Sequence, residues 1–541
     1  MTRRNGNRLI IPTRFGKISG QLKKASPDST VYAREWLGVP FAAPPIGSLR
    51  WRAPRDPIAW DGVLSASTMP EPCVQYLGFG DAPGIFGQED CLYMNIYRPD
   101  SDERHLPVYF WIHGGGNTCG SIREYQGDQT SIKLNAVVVL VQYRVGWLGF
   151  FNHPSLEIDA EMPEDISGNY AYLDLIKALE WVQDNIESFG GNPSLVTVAG
   201  ESAGAINSVA LLGASKVKEK NLIHRVISQS GGFTASRTIE EGQKRGRSLI
   251  SALFEKDPNQ PELITKESVR EYLLSQNGNA FAAINIPIHG GIGSPIVDGI
   301  VFKEHLDDQF QNGTYHKVPM IIGSSRDEFT LFASEEEPYR RLYDAARGKI
   351  DQSEVHLSEE ELNSYSMYSG ILSKIWRFRN DDLSEKIRRY QEDVFSYTLN
   401  WDGNDDSFYQ FVFGATHAMS IVFFHGDWNS GAFVPFGFDD NNLSGREDLS
   451  NSIISYQKQF IRTGNPGNGW ENELAVKWLP WSNEQDEYKR ISLDANQYHA
   501  IIKLHKERQF AKGIHAEIDA IKSPELKEKT QETASSFFGF E

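Results

Sequence analysis

Gly200-Glu201-Ser202-Ala203-Gly204 has the G-x-S-x-G form, in which a serine hydroxyl is pushed out of a sharp turn between a strand and a helix. The flanks suit that turn. Ser194 to Ala199 is β-branched and apolar behind the breaker Gly190-Gly191-Asn192-Pro193, and predicts a short buried strand. Ala203 to Leu212 carries Ala, Ile, Val and Leu with no breaker after Gly204, and predicts a helix. Small residues at 200 and 204 let strand and helix approach while Ser202 takes a strained backbone position. Such a serine is a nucleophile for acyl transfer. It needs a base, a group that orients the base, and donors for the oxyanion of the transition state.

The donors come first in the chain. His113-Gly114-Gly115-Gly116 has the H-G-G-G form, a backbone bare enough to aim amide N–H groups at a tetrahedral oxygen, and it directly follows the apolar run Val108 to Ile112. The N–H groups of Gly115, Gly116 and Ala203, the residue after the nucleophile, make a three-donor oxyanion hole.

These groups need a scaffold. Val108 to Ile112 and Ala136 to Val141 are too apolar for an exposed sheet, and Leu175, Leu179, Val182, Ile186 and Phe189 recur at helical spacing between the second run and the elbow. His224 to Gln229, Val318 to Ile322 and Phe408 to Phe413 read as later strands, each stopping at a Gly or Ser. The alternation predicts an α/β fold with a mostly parallel central sheet flanked by helices and chemistry at the carboxyl ends of the strands. Charged segments around 236–290 and 334–400 have helical periodicity and are expected as insertions over that edge, within a single catalytic domain spanning 1–541. The Lys-, Glu- and Gln-rich end, 505–541, reads as a charged surface helix and tail with a solvated face.

The 541 residues are 40% apolar and 12% aromatic, with no low-complexity linker or internal repeat, as in a globular enzyme with a large core. Fifty-four basic against 72 acidic residues leave a net charge of −18, which speaks against nucleic acid or anionic lipid surfaces as partners. The longest aliphatic run, Ala136 to Val141, is far short of the ~20 residues that span a bilayer, so no transmembrane helix is expected. Met1 to Gly6 is basic but leads into Leu9-Ile10-Ile11-Pro12 without a signal core. The expectation is a chain that stays inside the cell or one whose leader has been removed. Three cysteines, at 73, 91 and 119, cannot all pair.

Together with the two glycine motifs, Gly38-Val39-Pro40-Phe41-Ala42, Arg50-Trp51-Arg52-Ala53-Pro54, Glu89-Asp90-Cys91-Leu92-Tyr93-Met94-Asn95, Tyr143-Arg144-Val145-Gly146, Gln229-Ser230-Gly231, Val297-Asp298-Gly299 and Arg462-Thr463-Gly464-Asn465-Pro466 resemble the type B carboxylesterase and cholinesterase family of α/β hydrolases, over roughly residues 7 to 500. The resemblance implies the α/β-hydrolase fold and a serine carboxylic ester hydrolase working through an acyl-enzyme on small to medium esters. It implies no cofactor or metal, and a monomer or homodimer. The family's acid falls on Glu328 in Ser325-Arg326-Asp327-Glu328-Phe329, with Asp327 as competitor because Phe329 stands where the family has Gly. The base falls on His417 in Gly414-Ala415-Thr416-His417-Ala418-Met419-Ser420, with His425 as rival and Ser420 where an acidic residue is common. Ser202, Glu328, His417 is the chain order of α/β hydrolases.

The resemblance further implies a buried Arg50–Glu89 salt bridge and a Cys73–Cys91 disulfide closing a loop over the site, with Cys119 left free. That pair leans towards an oxidising compartment. The loop holds Tyr76, Phe79 and Phe86 but no Trp, so a choline-binding Trp is not identifiable. Asn117 stands where an aromatic is frequent and makes the expected pocket floor more polar. A lipase or sterol esterase, an amidase or thioesterase with the same triad, and a non-catalytic adhesion protein are the alternatives. The sequons at Asn312 and Asn442 carry no weight.

Overall fold

Leu106–Ile112 and Val137–Val141 are neighbouring parallel strands with every residue buried. Their apolar runs do not alternate because parallel strands are covered on both faces. The structure, a computed structural model, describes residues 8–26, 29–78, 83–232, 234–259, 262–284, 293–403, 407–428, 437–472 and 474–540. They divide into two compact units, Met1–Arg225 with Thr234–Lys317, and Val226–Phe233 with Val318–Glu541.

In the first unit six strands lie in the order Gly191–Glu201, Leu106–Ile112, Val137–Val141, Tyr93–Pro99, Tyr32–Pro40 and Gln21–Lys24. The first three are parallel, with Phe110 between Val198 on one side and Val139 on the other. The outer three run antiparallel. The expected crossover helix is Tyr170–Asn185, whose Leu175, Leu179 and Val182 are buried, continued by a 3₁₀ turn, Ile186–Phe189. The expected elbow helix is Ala203–Ala210, followed by a 3₁₀ turn, Leu211–Gly213.

The segment 236–290 forms the helices Ile239–Lys256, Lys266–Ser275 and Gly278–Ala282; its end, 285–290, lies outside the described residues. Arg50 pins it in place. Its guanidinium holds Glu89 through bonds of 2.6 and 2.7 Å and donates to the carbonyls of Leu273 and Gln276, each at 2.9 Å.

In the second unit the strands follow Arg225–Gln229, Met320–Ser325, Val394–Leu399 and Arg490–Ala495, all parallel, with Ala500–His505 antiparallel at the edge. Two expectations fail here. Phe408 to Phe413 is no strand: Ser407–Val412 is a helix in which Tyr409 and Val412 are buried while Phe411 is exposed, and Phe413, just past its end, is buried on the same side, a spacing of three and four residues from Tyr409. The strand is Val394–Leu399, buried throughout and paired with Met320–Ser325, inside the segment expected to be helical. The rest of that segment is helical, chiefly the 30-residue helix Glu359–Arg388, started by a capping box between Ser358 and Glu361.

The charged C-terminus also differs. It forms two helices, Ala511–Asp519 and Pro524–Phe538, and buries Ile514, Ile518, Ala534, Phe538 and Phe540. Only one face is solvated. Among the described residues no helix is long and apolar enough to cross a membrane.

Candidate active site

Ser202 stands between the strand Gly191–Glu201 and the helix Ala203–Ala210 with φ 56° and ψ −124°. A side-chain-bearing residue there is strained by about 1–3 kcal/mol, held by its surroundings. The two motif glycines explain those surroundings. A Cβ on Gly204 would lie 2.0 Å from the Ile112 carbonyl oxygen, and one on Gly200 would lie 2.4 Å from Gly204 C. The elbow helix therefore crosses the Leu106–Ile112 strand in backbone-to-backbone contact, which no other residue permits.

That contact brings the second glycine motif beside the serine. A Cβ on Gly114 would lie 3.2 Å from Ser202 Cβ. Gly115 and Gly116 take φ of 102° and 62°, open to glycine, and a Cβ on Gly115 would meet the Cys119 carbonyl oxygen at 2.3 Å. The Gly115 carbonyl is used inside the turn, accepting from the N–H groups of Thr118 and Cys119 at 3.0 Å each. His113 supports the turn. Its ring stacks on Tyr143 at 4.4 Å, Nδ1 donates to the Gly114 carbonyl at 2.9 Å, and burial pushes its pKa down to about 4, which keeps the imidazole neutral.

Asn117 does not form an open polar floor. It is buried, and its side chain exchanges two hydrogen bonds with Asn207 of the elbow helix, at 2.7 and 3.1 Å. A third, from Asn117 Nδ2 to the Gly293 carbonyl, spans 3.1 Å. The polar residue thus ties the glycine turn to the serine's helix. Glu201 is buried near Gly114, and burial together with the Glu201 charge raises the carboxyl of Glu124 to about 7.

Cys73 and Cys91 form a disulfide. Inside their loop Gln75–Leu77 pairs with Gly84–Phe86, and Tyr76 and Phe86 are exposed; Phe79 lies outside the described residues. Gln75 clamps the loop to the glycine turn, accepting from Gly120 N–H at 2.7 Å and donating to its carbonyl at 3.0 Å. Cys119 is free and buried, and burial pushes its thiol up to about 12, so it is inert.

In the second unit the end of Met320–Ser325 carries Glu328, fully buried. Its Oε1 accepts from Ser325 N–H at 2.7 Å and from the Ser230 hydroxyl at 2.6 Å, and its Oε2 lies 2.5 Å from His417 Nδ1. Both acceptor oxygens are used. Asp327 plays a different part. Its N–H donates to the Ala415 carbonyl at 2.9 Å, its carboxylate accepts from Ala415 N–H at 3.0 Å, and Arg326 pairs with it at 2.8 Å. It fixes the turn that carries His417. The rival His425 ends the helix Ser420–His425, fully buried, and burial pushes its pKa down to about 3.

Three neighbours of this pair do not stand out in any motif. Ser230 is visible only as part of Gln229-Ser230-Gly231, although its place just after a parallel strand is a usable signal. Trp376 donates from Nε1 to the Ser230 carbonyl at 3.1 Å and places its ring 4.7 Å from that of His417; Phe332 lies 5.1 Å from it. Neither ring sits in a motif.

The sequence profile of the carboxylesterase family matches residues 7–510. Rat carboxylesterase 1D is 30% identical over 502 residues, covering 85% of this chain and 86% of its own length. Para-nitrobenzyl esterase of Bacillus subtilis (strain 168) is 29% identical and covers 88% of this chain and 94% of its own. A solved para-nitrobenzyl esterase superimposes with a TM-score of 0.69 at 26% identity, over 94% of this chain and 99% of that one. With the serine elbow, the glycine turn and this likeness along nearly all its length, the chain belongs to the carboxylesterase family and is a carboxylic ester hydrolase of the α/β-hydrolase fold.

Proposed function

We propose that the hydrolysis runs through an acyl-enzyme on Ser202. Ser202 Oγ attacks the ester carbonyl as its proton passes to His417 Nε2, and the N–H groups of Gly115, Gly116 and Ala203 hold the oxyanion. Each such donor contributes ~2.7–4 kcal/mol to the transition state. The bond to the alcohol oxygen then breaks, and that oxygen takes the proton from His417. A water molecule, deprotonated by the same ring, attacks the acyl-enzyme; the bond to Ser202 Oγ breaks, Oγ takes the proton back from His417, and the acid is released. Glu328 holds the tautomer and balances the imidazolium.

The observation that carries this reading is the 2.5 Å contact of His417 Nδ1 with Glu328 Oε2. The carboxylate can only accept, so Nδ1 bears the hydrogen and Nε2 is left as the basic nitrogen. A small to medium ester is the expected substrate.

The test is a panel of p-nitrophenyl esters of increasing acyl length, with wild type beside Ser202→Ala. Turnover is expected to peak at short to medium chains and to vanish in the variant. Turnover by Ser202→Ala equal to wild type would sink the acyl-enzyme reading. An undiminished rate on long chains, rising at an oil interface, would reassign the protein to the lipases.

A further inference from the structure

The ring neighbours of His417 continue into the last helix of the chain. Phe537, in Pro524–Phe538, lies 5.7 Å from Phe332 and 5.5 Å from Trp376, the two rings that flank the imidazole. Phe329, the residue that departs from the family's Gly, lies 5.6 Å from Phe537. Trp376, Phe329 and Phe538 are buried and belong to the core, whereas Phe332 and Phe537 each keep part of their surface open. The two open rings touch each other, and one touches the base.

The helix is held firmly in this position. Thr533 Oγ1 meets the Tyr368 hydroxyl at 3.0 Å, and Lys529 pairs with Glu336 at 2.7 Å and lies over the Tyr368 ring. Arg379 donates to the carbonyls of Phe538 and Gly539, at 2.6 Å each. A helix that served only as cover for Glu359–Arg388 would need Thr530, Ala534 and Phe538, which are buried, but not a half-open aromatic one ring away from the base.

We propose that Phe537 and Phe332 form an aromatic wall beside His417 that receives a planar aromatic group of the ester, which makes the C-terminal helix part of the substrate pocket. This rests on His417 being the base that acts on Ser202. The imidazole that the leaving oxygen of an ester would meet carries Phe332 at 5.1 Å and, beyond it, Phe537 at 5.7 Å from Phe332, and aromatic pairs attract at centroid separations of about 4.5–7 Å.

Ethyl acetate, phenyl acetate and ethyl benzoate, followed by acid release, test the wall: the first has no ring, the second has one on the alcohol side, the third one on the acyl side. In Phe537→Ala and in Phe537→Leu, KM for at least one aromatic ester is expected to rise about 3- to 10-fold while ethyl acetate stays within about twofold. The leucine variant guards against misfolding, since it keeps an apolar side chain in the cluster. A loss of equal size on all three esters, or no change on any, overturns the wall and leaves Phe537 a packing residue. Because both variants retain Ser202, Glu328 and His417, the acyl-enzyme reading does not fall with the wall; only turnover by Ser202→Ala would remove it.

Discussion

Exchanging Glu328 for Gln tests how the base is set. The carboxylate is fully buried and accepts three hydrogen bonds, two at Oε1 and one at Oε2 from His417 Nδ1. Glutamine has the same shape, and its amide oxygen can still serve Ser325 N–H and the Ser230 hydroxyl. Its NH₂ then faces Nδ1–H, donor against donor. The ring escapes by moving its proton to Nε2, the nitrogen that accepts from Ser202 in the proposed mechanism, and the imidazolium of that mechanism loses its counter-charge. For a carboxylate-to-amide exchange behind a catalytic histidine the cost is roughly 10³–10⁴-fold in kcat, or about 4–5.5 kcal/mol. Asp327→Asn is the control: its oxygen still accepts from Ala415 N–H, and only a part-exposed pair with Arg326 is lost, worth ~0–1 kcal/mol. Steady-state hydrolysis of p-nitrophenyl acetate by both variants, with circular dichroism to check folding, decides the matter. If Glu328→Gln keeps kcat within about tenfold of wild type while Asp327→Asn loses a thousandfold, the acid has been misassigned.

Ser230→Ala removes one charge-assisted donor from Glu328 and should lower kcat about 3- to 30-fold with KM little changed; an unchanged kcat would show that Ser230 does not help set the acid. Gly204→Ala drives a Cβ to 2.0 Å from the Ile112 carbonyl oxygen, so the elbow helix must lift, and the variant should lose at least about 100-fold in kcat or fail to accumulate in soluble form. Wild-type rates from folded Gly204→Ala would contradict the close crossing. Glu124, raised to about 7 by burial and the Glu201 charge, binds a proton in the native state at pH values where the unfolded chain has lost it. Stability contributed by that proton is complete at low pH and falls as pH rises between about 4.5 and 7. Glu124→Gln should therefore exceed wild type by about 1–3 kcal/mol in urea unfolding at pH 8 and match it near pH 4; an equal gap at both pH values would refute the linkage.

How much of the site is legible in the sequence follows from which part of each residue does the work. Where the backbone does it, at Gly200, Gly204, Gly115 and Gly116, only glycine fits the crossing or the turn, so the requirement is written in residue type and short spacing. Ser202 is legible for the same reason. The roles proposed for Glu328 and His417 rest on side chains that many residue types could carry in the turns after Met320–Ser325 and after the helix Ser407–Val412, and it is the order of motifs along the chain that singles them out. Ser230, Trp376 and Phe332 meet the histidine and its acid from three separate segments, and no local period records such a meeting.

The one strand placed wrongly follows the same logic. Phe408-Tyr409-Gln410-Phe411-Val412-Phe413 is as aromatic and unbroken as a buried strand, and only its burial at 409, 412 and 413, set by tertiary packing, reveals a helix. Val394–Leu399 is hidden because it follows a 30-residue charged helix almost without a break, and two of its six residues, Ser396 and Thr398, are polar yet buried. Ser396 Oγ donates to the Ile322 carbonyl at 3.0 Å, across to the neighbouring strand. A hydroxyl satisfied by its partner strand costs the core little, so polarity along the chain is a poor guide to depth wherever a neighbouring strand supplies the acceptor.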